Sequence, residues 1–326
     1  MPKVTVISPI YKVEKFIERA AESMLSQTLD DIEYIFVDDC TPDKSIEILE
    51  SVIARHPERK DSIKIIYHNV NKGLPAARNT GLDQATGDYV FHWDSDDYAE
   101  LTMLEEMYDH AIDNDLDIVW CDWFLTFEKN ERYMRQPSYT DPIDALKAML
   151  SGTMKYNVWN KLSRRSLFTE NGVLFPEGHN MGEDMTMMLL FAHAKKVAYI
   201  PGAFYHYVKL NTNAYSKTYS EKHLEELKHN VKIIEQDLKN LFGLTLMQEI
   251  AFLKLEAKFP FLLSGDSKKY SLWKTWYPEA NKYIMKNKNI SVRSRIIQWC
   301  AWKNLDFVVY LYRFLIERIL YGMIYK

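Results

Sequence analysis

With 326 residues, 47% of them hydrophobic and 26% charged, the chain has enough apolar material for one large or two ordinary domains. A formal net charge of −4 excludes the basic excess that marks most nucleic-acid-binding proteins. Three widely spaced cysteines (Cys40, Cys121, Cys300) with no CxxC pair exclude a disulfide framework and a cysteine-built zinc site, and fit a reducing, cytoplasmic setting.

The opening MPKVTVISPIYKVEKF lacks the charged and then apolar regions of a secretory leader. No uncharged apolar run reaches the roughly 18 residues needed to cross a bilayer. Aromatic residues, at 13%, are abundant. Such a content suits sugar binding, a membrane interface or simply a larger core.

Over the first 125 residues strand and helix patterns alternate. Strands are predicted at 3–8, 32–37, 63–67, 89–93 and 117–121, from short apolar or β-branched runs. Between them, helical spacing predicts helices at 16–25, 45–56, 75–85 and 102–114, the second entered through a Thr-Pro-Asp turn. Repeated βα units of this length predict an α/β fold with a doubly wound, mostly parallel sheet, whose ligands bind at the carboxyl ends of its strands. Beyond residue 126 the rhythm breaks. A helix at 141–150 precedes a polar and aromatic stretch at 155–161. A helix at 185–196 and two short strands, 197–200 and 204–208, follow. After residue 220 the pattern is helical throughout, so the chain divides as 1–215, the α/β domain, and 216–326, a helical C-terminal extension.

No two of the eleven glycines are spaced as GxG and none forms a P-loop, which excludes the usual dinucleotide and nucleotide-triphosphate cradles. Phosphate on this sheet must be held by other means. Asp94-Ser95-Asp96-Asp97 closes the fourth strand. On an extended segment Asp94 and Asp96 would share a side, where two hard oxygen ligands suit Mg²⁺ or Mn²⁺ together with a diphosphate. An acidic turn with Asp97 as a helix cap is the plainer reading. Asp38 and Asp39 end the second strand, where a carboxylate can accept a base N–H or cap the next helix. Tyr11, after Pro9 and the first strand, can lie flat on a base, and Arg78 can fork onto a diphosphate or simply be solvated.

These stretches, VTVISPIYKVEKFI, SMLSQTL, IEYIFVDD, NKGLPAARNTGL, ATGDYVFHWDSDD and a later GED, together resemble the successive blocks of family 2 glycosyltransferases. The likeness is close over 3–125 and looser to about 216. It implies the GT-A fold and inverting transfer from a nucleotide-diphosphate sugar. By position it implies that Pro9, Tyr11, Asp39 and Arg78 surround the nucleotide, that Asp94 and Ser95 lie on the donor side, and that Asp96 binds the metal. Asp184 would be the catalytic base, with Glu183 as the reserve candidate and an acceptor-side contact. Such a base must come from a segment other than the metal site, because the acceptor hydroxyl attacks opposite the diphosphate. Helix N-termini also favour acids through the dipole. His206, in FYHY, would complete the metal shell or reach a phosphate, or else be a core histidine. Trp159, Asn160 and Lys161 fall where the family places acceptor contacts, although a core tryptophan fits Trp159 equally. Cys40 and Pro42 depart from the small turn residues usual after the Val-Asp-Asp, and Trp93 is bulkier than the usual aliphatic residue.

The tail 291–326 interleaves Arg293, Arg295, Lys303, Arg313, Arg318 and Lys326 with Trp299, Trp302, Phe307, Tyr310, Tyr312, Phe314, Tyr321 and Tyr325, against only Asp306 and Glu317. That composition suits the interface of an anionic inner leaflet, or a helix pair packed on the protein or on a second copy. The combined expectation is a Mn²⁺- or Mg²⁺-dependent transferase. It would move sugar from a UDP-sugar to a glycan or lipid-linked saccharide, with no nucleic-acid partner. The alternatives are an inactive nucleotide-sugar-binding or membrane scaffold and a sugar nucleotidyltransferase. The latter calls for a glycine-rich loop after the first strand, which is missing.

Overall fold

The computed structural model describes residues 1–210, 220–264 and 266–315. Its first strand, β1 (Val4–Ile10), is buried along its whole length. It is flanked in parallel by β2 (Ile32–Asp38) and β4 (Tyr89–His92), with β3 (Ile63–Tyr67) outside β2. Strands covered on both faces read as continuous apolar runs, which is why these were legible. Helices α1 (Ile17–Leu25), α2 (Ser45–Ile53) and α3 (Leu74–Gln84) make the crossovers. α1 buries Ile17, Ala20, Ala21, Met24 and Leu25, a single stripe at helical spacing.

Beyond β4 the sheet becomes mixed. A short strand β5 (Tyr98–Ala99), the helix α4 (Met103–Asp113), the long strand β6 (Ile118–Thr126) and β7 (Glu131–Met134) come next in the chain. Then follow α5 (Pro142–Leu150), β8 (Lys161–Arg164), α6 (Arg165–Asn171), α7 (Thr186–His193) and β9 (Val197–Val208). The strand order is β3-β2-β1-β4-β8-β6-β9-β5, with β7 paired to β6. β8 runs antiparallel to both β4 and β6, and β5 antiparallel to β9, while β9 is parallel to β6. The sheet is therefore less uniformly parallel than the βα rhythm predicts, because β8 enters from the polar and aromatic stretch, where no strand is expected. The two short strands expected at 197–200 and 204–208 are one strand, whose register shifts opposite Cys121–Trp123.

The chain divides into two compact units, Met1–Ala145 with Tyr156–Ile234, and Leu146–Lys155 with Glu235–Lys326. The boundary expected at 215 falls in 211–219, outside the described residues. The second unit contains the later part of α8 (Glu221–Phe242), α9 (Met247–Leu263), α10 (Ser267–Thr275), α11 (Val292–Trp302) and α12 (Asp306–Leu315). Lys258 of α9 is fully buried there. It survives because its ammonium donates to the Trp276 carbonyl (2.7 Å) and Asn281 Oδ1 (2.7 Å) and lies 4.6 Å from the centre of the Trp273 ring.

One buried polar knot ties the amino ends of the parallel strands. Glu33 accepts from Thr5 Oγ1 (2.6 Å), Thr86 N (2.8 Å) and Lys64 Nζ (3.2 Å), and the Thr5 hydroxyl in turn accepts from Gly87 N (2.9 Å). Burial alone would raise the Glu33 pKa, but these donors outweigh it and hold it below the usual value. Gly87 is pressed against this knot, since a Cβ there would lie 2.7 Å from the Thr5 backbone nitrogen. Gly87→Ala is therefore expected to destabilise the fold by about 1–3 kcal/mol, by overpacking against backbone that cannot retreat. A urea midpoint unchanged from wild type would show that the contact relaxes freely.

Candidate active site

Three strand ends build the site. β1 delivers the buried Pro9 and the exposed Tyr11, and β2 delivers Asp38 and Asp39. After Asp39 the chain turns through Cys40 in the left-handed region (φ 57°), a conformation that strains a side chain with a Cβ. β4 delivers Asp94–Asp97. That segment is not extended as the alternation argument assumed. It is a turn closed by Asp97 N donating to Asp94 O (3.1 Å).

Arg78, on α3, is buried beneath these carboxylates and donates from Nη2 to Asp94 Oδ1 (2.8 Å). Its remaining nitrogens Nε and Nη1 have no partner in the protein. Asp184 comes from far along the chain. It stands in a one-turn 3₁₀ helix, Glu183–Met185, entered through Gly182 at φ 86° and leading into α7. A Cβ would be strained at that φ, so glycine is needed. The loop before it is clamped by α8: Glu226 accepts from Met181 N (3.0 Å), and Asn230 Nδ2 donates to the carbonyls of His179 and Met181 (3.0 and 2.9 Å).

These groups share one electrostatic neighbourhood. Burial pushes Asp184 up to about 6, with Asp94 adding to the rise and Arg78 and Lys161 opposing it. Burial and the adjoining Asp184 raise Glu183 well above the usual carboxylate range. Asp97 is raised likewise, by burial and by Asp96 and Asp94. Lys161 is pulled down to about 7 by burial, although Asp184 favours its charged form. Arg78 stays charged, because Asp94, Asp184 and Glu183 outweigh its burial. Oδ1 of Asp184 and Oδ2 of Asp97 are both buried without a hydrogen-bond donor. The site is short of positive charge.

Among the described residues no group of three or more His, Cys, Asp or Glu side chains forms a ready-made metal shell. The donor set around Asp94, Asp96 and Asp97 is nonetheless all hard oxygen, with one buried oxygen lacking a donor. It fits a divalent cation whose remaining ligands come from a bound diphosphate.

His206 does not belong to that set. Side chains on a strand alternate, so Tyr205 and Tyr207 share one face of β9 and His206 takes the other. Both tyrosines feel Asp94, Asp96 and Asp97, and the Tyr205 hydroxyl accepts from Asp94 N (3.1 Å). His206 lies between the rings of Tyr98 and Phe124, with Nδ1 2.8 Å from Glu131 and Nε2 2.9 Å from Glu100. Both of its ring nitrogens are therefore engaged by carboxylates.

Asp39 also departs from its expected job. Its carboxylate accepts from His68 Nδ1 (2.7 Å), Lys72 N (2.8 Å), Asn71 Nδ2 (2.9 Å) and Gly73 N (2.8 Å). Those four bonds fill its capacity, so a base N–H would have to displace one of them. Asp39 holds the 68–73 loop that launches α3.

The acceptor-side trio is likewise interior. Trp159 is only 4% exposed, stacked on Tyr205 (4.8 Å) and Tyr207 (5.1 Å), so it offers no sugar platform. Asn160 bonds the Cys121 carbonyl (2.8 Å) and receives Lys161 Nζ (2.9 Å), and both residues are buried. From there the Lys161 ammonium acts electrostatically on Asp184. Ser95 is buried within the acidic turn, and Trp93 fits between Phe91 and Tyr205. The residues missed by sequence reasoning are Tyr205, Tyr207 and Phe175, the last with its ring 5.6 Å from the Arg78 guanidinium. Strand alternation in FYHY could have flagged the tyrosines once the strand's inward face was known. Nothing local marks Phe175.

A family model described as Glycosyl transferase family 2 matches residues 5–195, more than half of the chain. The uncharacterized glycosyltransferase EpsJ of Bacillus subtilis is 36% identical over 215 residues, 64% of this chain and 61% of that one. The match thus spans about three fifths of that relative's length. Among solved structures, residues 1–349 of S. aureus TarS, in complex with UDP-GlcNAc, superpose with a TM-score of 0.69 at 20% identity, covering 98% of this chain and 92% of that one. The mannosyltransferase PcManGT of Pyrobaculum calidifontis, in complex with GDP-Man and Mn²⁺, gives a TM-score of 0.54 at 16% identity, covering 92% and 86%. These likenesses give the fold as the GT-A sheet with helices.

The raised Asp184 has a consequence for stability. Between its ordinary value of 3.8 and about 6, the folded chain holds a proton that the unfolded chain has released. Stability therefore falls as pH rises through that window and is unaffected below it. Asp184→Asn removes the ionisation, so its stability relative to wild type should grow by about 2–3 kcal/mol from acid to neutral pH. Urea midpoints at the two pH values check this, and a pH-independent difference would contradict it.

Proposed function

The chain belongs to glycosyl transferase family 2, and from that premise we propose that it moves a sugar from a nucleotide-diphosphate sugar to a hydroxyl of a glycan or lipid-linked saccharide, with inversion at the anomeric carbon. UDP-sugar is our reading of the donor, supported by a structural neighbour solved with UDP-GlcNAc. We assign the reaction to the first unit. The observation that carries the reading is the meeting of Asp184 with Arg78, Asp94 and Lys161, from segments up to 106 residues apart in sequence, around buried oxygens that lack donors.

In this reading Asp184 accepts the proton of the acceptor hydroxyl. The acceptor oxygen bonds to the anomeric carbon while the bond from that carbon to the diphosphate breaks, and the diphosphate leaves with the electron pair. An α-linked donor gives a β-linked product. A carboxylate raised to about 6 is ionised at neutral pH yet basic enough to share a proton in the transition state. Asp96, with Asp94, would hold Mn²⁺ or Mg²⁺, which screens charge on the leaving diphosphate. A Mn²⁺-bearing neighbour supports that choice of metal. Arg78 fixes Asp94 and supplies positive charge beneath the diphosphate. Tyr11, exposed after β1, is our candidate for stacking on the base.

Asp184→Asn should lower turnover by about 10²- to 10⁴-fold while UDP-sugar affinity stays near wild type. Asp96→Ala should instead weaken donor binding in Mn²⁺ and leave binding in chelator unchanged. Transfer assays with calorimetry on both variants separate the roles. Full turnover in Asp184→Asn would remove the base assignment.

A further inference from the structure

α12 turns its apolar face outward. Phe307, Tyr310, Leu311, Phe314 and Leu315 recur at helical spacing, and every one is exposed, Phe307 to 70%. The opposite side supplies the helix's buried residue, Val309. α11, joined to α12 by a turn in which Leu305 N donates to Cys300 O (2.8 Å), repeats the pattern with Val292, Ile296 and Trp299. Among the described residues, ten of 25 exposed large hydrophobic side chains lie between 292 and 315. An apolar concentration of this kind on a folded surface marks a binding face.

The charge on these helices selects the partner. Residues 288–315 carry Lys288, Arg293, Arg295, Lys303 and Arg313 against the single acid Asp306, which is already engaged by Lys274 (3.0 Å) and Tyr270. A two-fold contact with a second copy would set these cations against one another with only the engaged Asp306 to pair them among the described residues of α11 and α12. Among the described residues no helix is long and apolar enough to cross a bilayer. Lys303 lies 4.0 Å from the centre of the Trp302 ring, and the Arg313 guanidinium lies 5.7 Å from that of Tyr310. Cations beside amphipathic rings suit the depth where headgroup phosphates meet acyl chains.

We propose that α11 and α12 dock on an anionic lipid bilayer, inserting the Phe307–Phe314 face and pairing the flanking lysine and arginines with headgroup phosphates. The inference is independent of the transfer chemistry. It extends the expectation for 291–326, of which Glu317, Arg318, Tyr321, Tyr325 and Lys326 lie outside the described residues.

The test is flotation of the full chain with vesicles of phosphatidylcholine alone and of phosphatidylcholine mixed with phosphatidylglycerol. The chain should float with the anionic vesicles only, and less as salt is raised. Arg293→Gln and Lys303→Gln, both at exposed positions, should each lower partitioning about fivefold. Phe307→Ser combined with Phe314→Ser should lower it about tenfold without shifting the melting temperature. Failure to float with anionic vesicles, or equal flotation with both kinds, overturns the proposal. So does a result in which the serine pair converts a dimer to a monomer in sedimentation and leaves flotation unchanged. The two charge variants keep the test decisive should the serine pair perturb folding.

Discussion

Arg78 lets a crowd of carboxylates share one neighbourhood. Asp94, Asp184 and Glu183 all act on it, and Asp94 bonds it directly at 2.8 Å. A guanidinium is rarely buried, because desolvation costs several kcal/mol unless oppositely charged groups surround it. Here they do, and the dependence is mutual. Glu183 and Asp184 would both titrate higher without it.

The helix that carries Arg78 explains why NKGLPAARNTGL is so dense in chemistry. Asn71 and Gly73 bond Asp39, and Thr80 bonds His68, so the helix start is tied to β2 through one carboxylate and one imidazole. Pro75 sits in the first turn, where a missing N–H costs nothing. Gly81 lies against β1 so closely that a Cβ there would come within 2.4 Å of Ile7 Cγ2. That approach presses α3 onto the sheet and brings Arg78 to the end of β4. Asn79 then bonds both the N–H and the carbonyl of Phe175 at 2.9 Å, fixing the ring beside the guanidinium. Structure and site are one network here. Asp39, expected to read a base, is better understood as its anchor.

How much of this was legible depended on range. Alternation of apolar runs and helical spacing located the first four parallel strands and their helices, because those patterns are local. The candidate carboxylates are likewise read from local position, each at the end of a strand or at the entry to a helix. What local pattern does not carry is direction. Knowing that 204–208 is a strand does not say which alternate residues face the carboxylates, and it is Tyr205 and Tyr207 that feel Asp94, Asp96 and Asp97. Between the two readings of Trp159 local pattern cannot choose, for a related reason. Its polar and aromatic stretch feeds β8, a central strand whose two antiparallel neighbours come from distant parts of the chain. Long-range pairing leaves no local trace.

The second unit shows the same limit from the other side. α1 and α12 carry apolar residues at identical offsets, Ile17, Ala20, Ala21, Met24 and Leu25 in one and Phe307, Tyr310, Leu311, Phe314 and Leu315 in the other. Periodicity alone assigns both to a core. One stripe is buried and the other is open to solvent. Composition is what separates them. The buried stripe is aliphatic and small, which lets a helix lie close on a sheet. The exposed one holds three aromatic rings and two leucines and has arginine within its last turn. Large amphipathic rings lose less than aliphatic groups do in a half-wet setting, because their faces tolerate cations and headgroups as neighbours. A helical stripe therefore reports that a face is apolar, while the identity of its residues reports what kind of medium that face is built to meet.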